Sequence, residues 1–187
     1  MRSNSLVIAA SIGLLVLVLP KVPDAFAPSP QSTGAQKSVL TIPPSLEAEH
    51  EEIHAALIAA TGVPGEVGAA AKALATVLHP HFERENQIAL PPLGLLAPLA
   101  AGKTPAGLEE ALAMSDALRK ELPRMMEEHE RIRAATAKLR DVARKEKASV
   151  HERFAERLAA HARTEEEVLY PAAILVGDII RARTTPK

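Results

Sequence analysis

The sequence has no cysteine and no tryptophan, and it has only three phenylalanines and one tyrosine among 187 residues. Without cysteine, disulfide bonds, thiolate metal sites and cysteine redox chemistry are all excluded. The formal net charge is −1, which argues against a general nucleic-acid binder. The sequence also has no strand-like alternation of apolar and polar residues. The remaining composition is rich in alanine and leucine, which predicts an all-α fold.

The N-terminal segment has the form of an export signal. Arg2 supplies a positive charge, and residues 6–19 form a continuous apolar run that is short for a membrane span. Residues 25–27, Ala-Phe-Ala, have the small-x-small form of a cleavage site, although a proline follows. We expect residues 1–27 to be a signal peptide, or a membrane anchor if uncleaved, and the protein to be exported, periplasmic or secreted. Residues 28–43 are expected to form a flexible Pro/Ser-rich linker.

One pattern occurs twice in the chain, at an interval of eighty residues. His81 is followed four residues later by Glu85, and His161 is followed in the same way by Glu165. In each copy a proline comes ten residues after the histidine. On a helix, residues i and i+4 project from the same face one turn apart. Each pair can therefore present an imidazole and a carboxylate to one point in space.

A lone histidine precedes each copy at a nearly equal interval. His50 and His129 both lie within a Glu-His-Glu sequence. The chain is therefore predicted to form two helical hairpins, each of which contributes a lone histidine and then a His-Glu pair. Four imidazoles and two carboxylates are typical of a metal site.

The helical phase places all six of these residues at core positions. A single His-x3-Glu pair on an exposed helix is usually solvated, but here each candidate lies on an apolar stripe with spacings of three and four residues. Burying these polar groups without a partner is costly, so a cation between them is predicted. The stripes are Leu46, His50, Ile53 and Leu57; Leu74, Leu78, His81, Glu85 and Ile88; Leu122, Met125, His129, Ile132 and Leu139; and Val150, Phe154, Leu158, His161, Glu165 and Val168.

This set of six residues resembles the hemerythrin-like family, also called the HHE cation-binding domain. Phe82 and the Glu-Val-Leu-Tyr-Pro run that ends at Pro171 fit the same family, and the resemblance spans residues 45–172. It implies an up-down four-helix bundle with the metal site in the bundle core. It also implies two iron ions, bridged by the two glutamates and by an oxo or hydroxo group. We therefore expect a hemerythrin-like four-helix domain over residues 44–180, with the metal ligands His50, His81, Glu85, His129, His161 and Glu165.

Two features depart from the family pattern. Asn86 follows Glu85 where the family often has a second glutamate. The classical oxygen carriers have a His-x3-His pair on the third helix, but here Arg133 lies one turn after His129. The His-x3-His pair of this chain is on the first helix and ends at His54, which is a candidate additional ligand. His79 and His151 lie off the apolar stripes and are expected to have no part in the site.

Caps and helix breakers predict where the helices begin and end. Pro80 is predicted to kink the second helix or to begin a new segment, Pro123 to bend or break the third, and Pro171 to interrupt the fourth. The apolar tail 174–180 is expected to pack back on the bundle. The predicted helices are 44–60, 66–89, from an N-cap at Thr104-Pro105 to Lys145, and from a capping box at Ser149-Val-His-Glu152 to Tyr170.

Imidazole and carboxylate ligands without thiolate suit iron, manganese or zinc, and the family resemblance implies iron. The leading hypothesis is a non-haem di-iron protein that binds oxygen or a related small molecule, for carriage, storage or sensing. The alternative is a di-iron oxidoreductase acting on peroxide, nitric oxide or ferrous iron, and a third reading is a structural metal bundle. The sequence favours a non-enzyme without deciding the point, and it does not predict the oligomeric state. The expected partner is a small gas or peroxide, with no nucleic acid, and with membrane contact only through an uncleaved N-terminal segment.

Overall fold

The computed structural model describes residues 39–184. The predicted export signal and the linker up to residue 38 lie outside these residues and stay predictions. Within the described range, no helix is sufficiently long and apolar to span a lipid bilayer. The helices are α1 (Pro44–Thr61), α2 (Glu66–Ile88), a 3₁₀ segment (Pro91–Leu95), α3 (Leu96–Ala100), α4 (Leu108–Lys145), α5 (Ser149–Thr164), a π-helical segment (Glu165–Leu169) and α6 (Tyr170–Thr184).

The long helices form a four-helix bundle. Its four members are α1, α2, α4 and the continuous helix made of α5, the π segment and α6. Helix α4 packs against α2, α5 and α6, whereas α1 packs against α2 and α5. The predicted all-α up-down four-helix bundle is therefore confirmed.

The bundle core is divided into apolar clusters by a layer of buried histidine and glutamate. Along α2, Leu78 belongs to one apolar cluster and Ile88 to the next, and His81 and Glu85 lie between them. Along α4, His129 has the same place between two apolar clusters. The spacing of the apolar stripes thus positions the polar layer in the middle of the bundle.

Two of the prolines do not interrupt their helices. Helix α2 is continuous across Pro80, and α4 is continuous across Pro123, so neither proline begins a new segment or breaks its helix. Both prolines are on the exposed side of their helices. A helix-interior proline costs about 3 kcal/mol, which the packing of these two long helices offsets. Because α2 is continuous, His81 keeps the phase of Leu74, and both are buried.

The fourth helix differs from the prediction at its C-terminal half. Pro171 does not end it, because the helix continues as α6 to Thr184. The π segment adds one residue to the turn that follows Glu165, so the next buried position is Tyr170. Val168, predicted to lie on the buried stripe, is 55% exposed. The apolar residues of α6 pack on α4 as expected for the tail.

Three further predictions at the ends of elements are wrong. Helix α4 begins at Leu108 rather than at Thr104-Pro105, because Gly107 has a left-handed φ of 82° and supplies the N-cap. Ser149 is the first residue of α5 and forms no capping hydrogen bond, and the next residue, Val150, is exposed. Leu40, placed in the linker by the sequence, is buried in an apolar cluster with residues of α4 and α6.

Candidate metal centre

The six predicted ligands converge in the middle of the bundle. All six side chains are buried. Their ligand atoms form two groups, within each of which all atoms lie within 4.8 Å of one another. The first group, here called subsite 1, consists of His81, Glu85, His129 and Glu165. The second, subsite 2, consists of His50, His161 and Glu165.

In subsite 1 the Nε2 atoms of His81 and His129 face each other at 2.8 Å. Oε1 of Glu85 lies 3.4 Å from Nε2 of His81. Oε2 of Glu165 lies 3.5 Å from Nε2 of His129. Two imidazole nitrogens and two carboxylate oxygens therefore share one small volume.

In subsite 2 the contacts are made by the other oxygen of each glutamate. Oε1 of Glu165 lies 2.8 Å from Nε2 of His161 and 3.3 Å from Nε2 of His50. Oε2 of Glu85 lies 3.8 Å from Nε2 of His50. Each carboxylate thus directs one oxygen toward each subsite.

The outward-facing ring nitrogens of three histidines meet a second set of carboxylates. Nδ1 of His81 donates to Oε2 of Glu128 at 3.0 Å. Nδ1 of His161 lies 3.2 Å from Oε1 of Glu49. A carboxylate at Nδ1 holds the proton there and turns the lone pair of Nε2 into the site. In both cases the carboxylate belongs to the hairpin that does not carry the histidine.

The third outer carboxylate is Glu166, which lies next to Glu165 in the chain. Nδ1 of His129 donates to Oε1 of Glu166 at 2.7 Å. Arg133 donates to the same carboxylate oxygen, and this explains why an arginine follows His129 by one turn. Arg124 holds Glu128 in the same manner, at 2.8 Å.

His50 has no such partner. Its Nδ1 is buried and makes no hydrogen bond. The imidazole instead stacks on Phe82, with ring centroids 4.1 Å apart and an angle of 12° between the ring planes. On its Nδ1 side this ring is therefore oriented by packing, whereas Nε2 on the other side contacts Oε1 of Glu165 at 3.3 Å.

Tyr170 completes the environment of subsite 1. Its hydroxyl donates to Oε1 of Glu85 at 2.5 Å and lies 3.0 Å from Nε2 of His129 and 3.3 Å from Nε2 of His81. The side chain is fully buried. Subsite 1 is thus bordered by a phenol and subsite 2 by the ring of Phe82.

The electrostatic environment couples the buried groups. Burial, followed by the negative charge of Glu165, raises the pKa of Glu85. Burial opposes ionisation of Glu165 as well, but its contacts with His161 and His50 outweigh that effect and lower its pKa. Burial disfavours the charged form of His81, but contacts with Glu85 and Glu128 outweigh it and raise the pKa to about 9. Without a cation, the cluster therefore holds protons at positions that a metal would use.

The donor set fits a metal. Nδ1 of His81 and of His129 each face an outer carboxylate, and their Nε2 atoms face each other at 2.8 Å, which leaves room for at most one proton between the two rings. Oε2 of Glu85 is also buried and has no hydrogen-bond partner. Two imidazole nitrogens in close contact and an unpaired buried carboxylate oxygen are unfavourable unless a cation lies among them.

The other three histidines are outside this cluster. His54 is half-buried and stacks on His79, with ring centroids 5.8 Å apart, and it belongs to neither ligand group. The side chain of His79 is 52% exposed and pairs with Glu83. His151 is half-buried in the first turn of α5. The proposed additional ligand His54 is thus not brought to the centre.

Sequence reasoning missed four residues of the site: the outer carboxylates Glu49, Glu128 and Glu166, and Tyr170. A signal for two of them was present, because a glutamate directly precedes each lone histidine. However, Glu49 contacts His161 and Glu128 contacts His81, each on the other hairpin. The order of residues along the chain does not indicate these contacts. Tyr170 could not be found from an α-helical period, since the π segment brings it inward.

Comparisons with known proteins support the cation-binding interpretation of the second hairpin. Residues 120–184 match the family model of the hemerythrin HHE cation binding domain. The matched segment contains His129, His161 and Glu165. No curated protein and no solved structure matches the chain. The resemblance predicted from the sequence is confirmed over the matched residues. The assignment of His50, His81 and Glu85, on the first hairpin, to the same centre rests on the geometry of the structure alone.

Proposed function

We propose that this protein is a non-haem di-iron protein that binds oxygen or a related small molecule, for carriage, storage or sensing. One observation carries the proposal: Glu85 and Glu165 each direct one oxygen to each of two histidine pairs. Two carboxylates that span two imidazole pairs are suited to holding two metal ions side by side. The match of residues 120–184 to the hemerythrin HHE cation binding domain supports iron as the metal.

In this proposal His81 and His129 would hold one ion and His50 and His161 the other, and each of the two glutamates would offer one oxygen to each ion. When bound, the ions supply electron-transfer chemistry and open positions for a small ligand. The outer carboxylates keep the histidine protons on Nδ1, so that Nε2 stays a ligand. The apolar clusters on both sides exclude bulk water from the centre.

Metal content tests the proposal directly. Protein matured with iron should contain about two iron ions per chain, as expected for di-metal helical bundles. Elemental analysis that finds no metal, or one zinc ion per chain, would contradict it. Manganese in place of iron would leave the two-ion geometry standing and overturn only the identity of the metal.

One observation favours the alternative, a di-iron oxidoreductase acting on peroxide, nitric oxide or ferrous iron. The hydroxyl of Tyr170 lies within hydrogen-bond distance of three groups of subsite 1, and a buried phenol can donate a proton to a substrate there. The absorption spectrum of the iron-loaded protein separates the two functions. A change that reverses when oxygen is replaced by argon supports binding, whereas a one-way change with consumption of the added substrate supports the enzyme.

A further inference from the structure

We propose that the pocket beside His50 is a cation-binding vestibule, through which ferrous iron reaches the centre. This inference rests on the proposed function. The pocket has a volume of about 280 Å³ and lies between α1 and α2. Its least exposed lining residues are His50, a predicted ligand of subsite 2, and Phe82, which stacks on it.

The pocket lies at the one histidine of the centre that lacks an outer carboxylate. The other three histidines each have a carboxylate against Nδ1. Nδ1 of His50 is buried, has no hydrogen-bond partner and belongs to a residue that lines the pocket. Asn86, which also lines the pocket, follows Glu85 as Glu166 follows Glu165. The pocket therefore lies beside the one histidine of the centre, His50, that has no outer carboxylate at Nδ1.

The charge of the pocket selects for cations. Three carboxylates line it, from Glu47, Glu51 and Glu83, and no lysine or arginine does. Elsewhere around the centre, arginines neutralise the outer carboxylates Glu128 and Glu166. A cleft lined by charge of one sign raises the local concentration of the opposite ion and its association rate.

The pocket also holds donors of the same type as those in the centre. The imidazoles of His54 and His79 stack on its wall with ring centroids 5.8 Å apart, and Nε2 of His79 is 3.3 Å from Oε1 of Glu83. Imidazole and carboxylate together are ligands for ferrous iron and for zinc. Among residues 39–184 the only groups of three or more converged ligand atoms are the two in the core. The vestibule therefore binds the ion weakly and releases it inward.

Rotation of the His50 ring is the step that connects the vestibule to subsite 2. No hydrogen bond at Nδ1 has to break for this ring to turn against Phe82. The same ring presents Nε2 to Glu165 at 3.3 Å. His50 is thus the ligand that can meet an incoming ion and hand it to the bridging carboxylates.

The test measures how fast iron enters metal-free full-length protein. Ferrous iron is added under argon, a strong chelator stops uptake at set times, and iron retained per chain is measured. The variant Glu51→Gln/Glu83→Gln should load about tenfold more slowly, with unchanged final iron. Its rate should also lose most of the salt dependence of the wild type. The matched control is Glu109→Gln/Glu127→Gln, which removes the same charge from exposed positions outside the pocket and should load at the wild-type rate.

A second variant, Asn86→Arg, places a cation in the vestibule and should slow loading without changing the endpoint. Equal rates for the wild type, the pocket variants and the control would overturn the vestibule and leave the di-iron centre intact. A wild-type endpoint of one ion per chain with slowed pocket variants would overturn the di-iron proposal and support the vestibule. A wild-type protein that retains no iron would overturn both.

Discussion

The hydroxyl of Tyr170 donates a hydrogen bond of 2.5 Å to Oε1 of Glu85, although the two residues lie on different hairpins. The contact exists because the π segment turns Tyr170 inward after Glu165. It makes the chain's one tyrosine part of subsite 1, and since there is no tryptophan, tyrosine absorption and emission report on this position alone.

Replacing Tyr170 by phenylalanine should destabilise the metal-free protein. The change leaves Glu85 and His129 without the hydroxyl that they share, and an unsatisfied buried group costs about 1–3 kcal/mol. Urea unfolding followed by circular dichroism measures the difference. In the metal-loaded protein the loss should be smaller, because the metal then occupies the lone pairs of the same two residues. An equal loss in both forms would mean that the hydroxyl has only a packing role.

The two central glutamates should be needed for metal retention. Glu85→Ala or Glu165→Ala removes a carboxylate from both subsites at once and should lose most of the bound metal. His79→Ala and His151→Ala should leave the metal content at equilibrium unchanged, since neither side chain reaches a ligand group. Elemental analysis of these four purified variants, and of His81→Ala for comparison, decides this. Loss of metal in His79→Ala comparable to that in His81→Ala would place His79 in the centre.

Removing an outer carboxylate should weaken metal binding without removing a ligand. Glu128→Gln takes away the acceptor that holds the Nδ1 proton of His81, and such changes typically cost 10- to 100-fold in metal affinity. The neighbouring Glu127→Gln is a matched control, because Glu127 is exposed on the same helix. Competition with a chromophoric chelator gives both affinities. Equal affinities for the two variants would show that the outer contact has no influence on the ligand.

The raised pKa of His81 predicts opposite pH dependences for the metal-free protein and for metal binding. In the metal-free protein the pKa rises from 6.5 to about 9, so the stability contributed by protonated His81 is fully present below pH 6.5. It is lost as the pH rises through about 9. Metal must displace that proton, so affinity should rise over the same interval. The difference in melting temperature between loaded and metal-free protein should therefore widen from pH 6.5 to 9.

A melting difference that does not change over this interval would contradict the assignment of His81. His151→Ala is the control, since it removes a histidine outside the ligand groups and should keep the pH dependence of the wild type. Competition between protons and metal thus extends to higher pH than the ordinary pKa of histidine predicts.

The sequence predicts the bundle and the six central residues because both depend on local periodicity. Leu74, His81 and Ile88 share one face of α2 whatever the other helices do, and all three are buried. The burial of six polar groups predicts a cation, and the family resemblance predicts that this cation is iron. The helix starts were less predictable, since Gly107 rather than Thr104 supplies the N-cap of α4 through its left-handed φ of 82°.

What could not be predicted depends on contacts between hairpins or on a change of helical period. The pairing of Glu128 with His81 joins residues 47 positions apart, and no spacing within either helix indicates it. Val168 fits an α-helical stripe but is exposed, because the π segment shifts the buried face to Tyr170. His54 has the right spacing from His50 for a ligand and still belongs to the surface pocket.

The exchange of carboxylates between hairpins also bears on symmetry. A homodimer of one hairpin could build the same reciprocal contacts, but it would have to place identical residues at both ends of the site. Since both hairpins belong to one polypeptide, equivalent positions are free to differ. Leu90 stands where the second hairpin has Tyr170, and Asn86 stands where it has Glu166. The joined chain can therefore give subsite 1 a phenol and subsite 2 a neighbouring pocket.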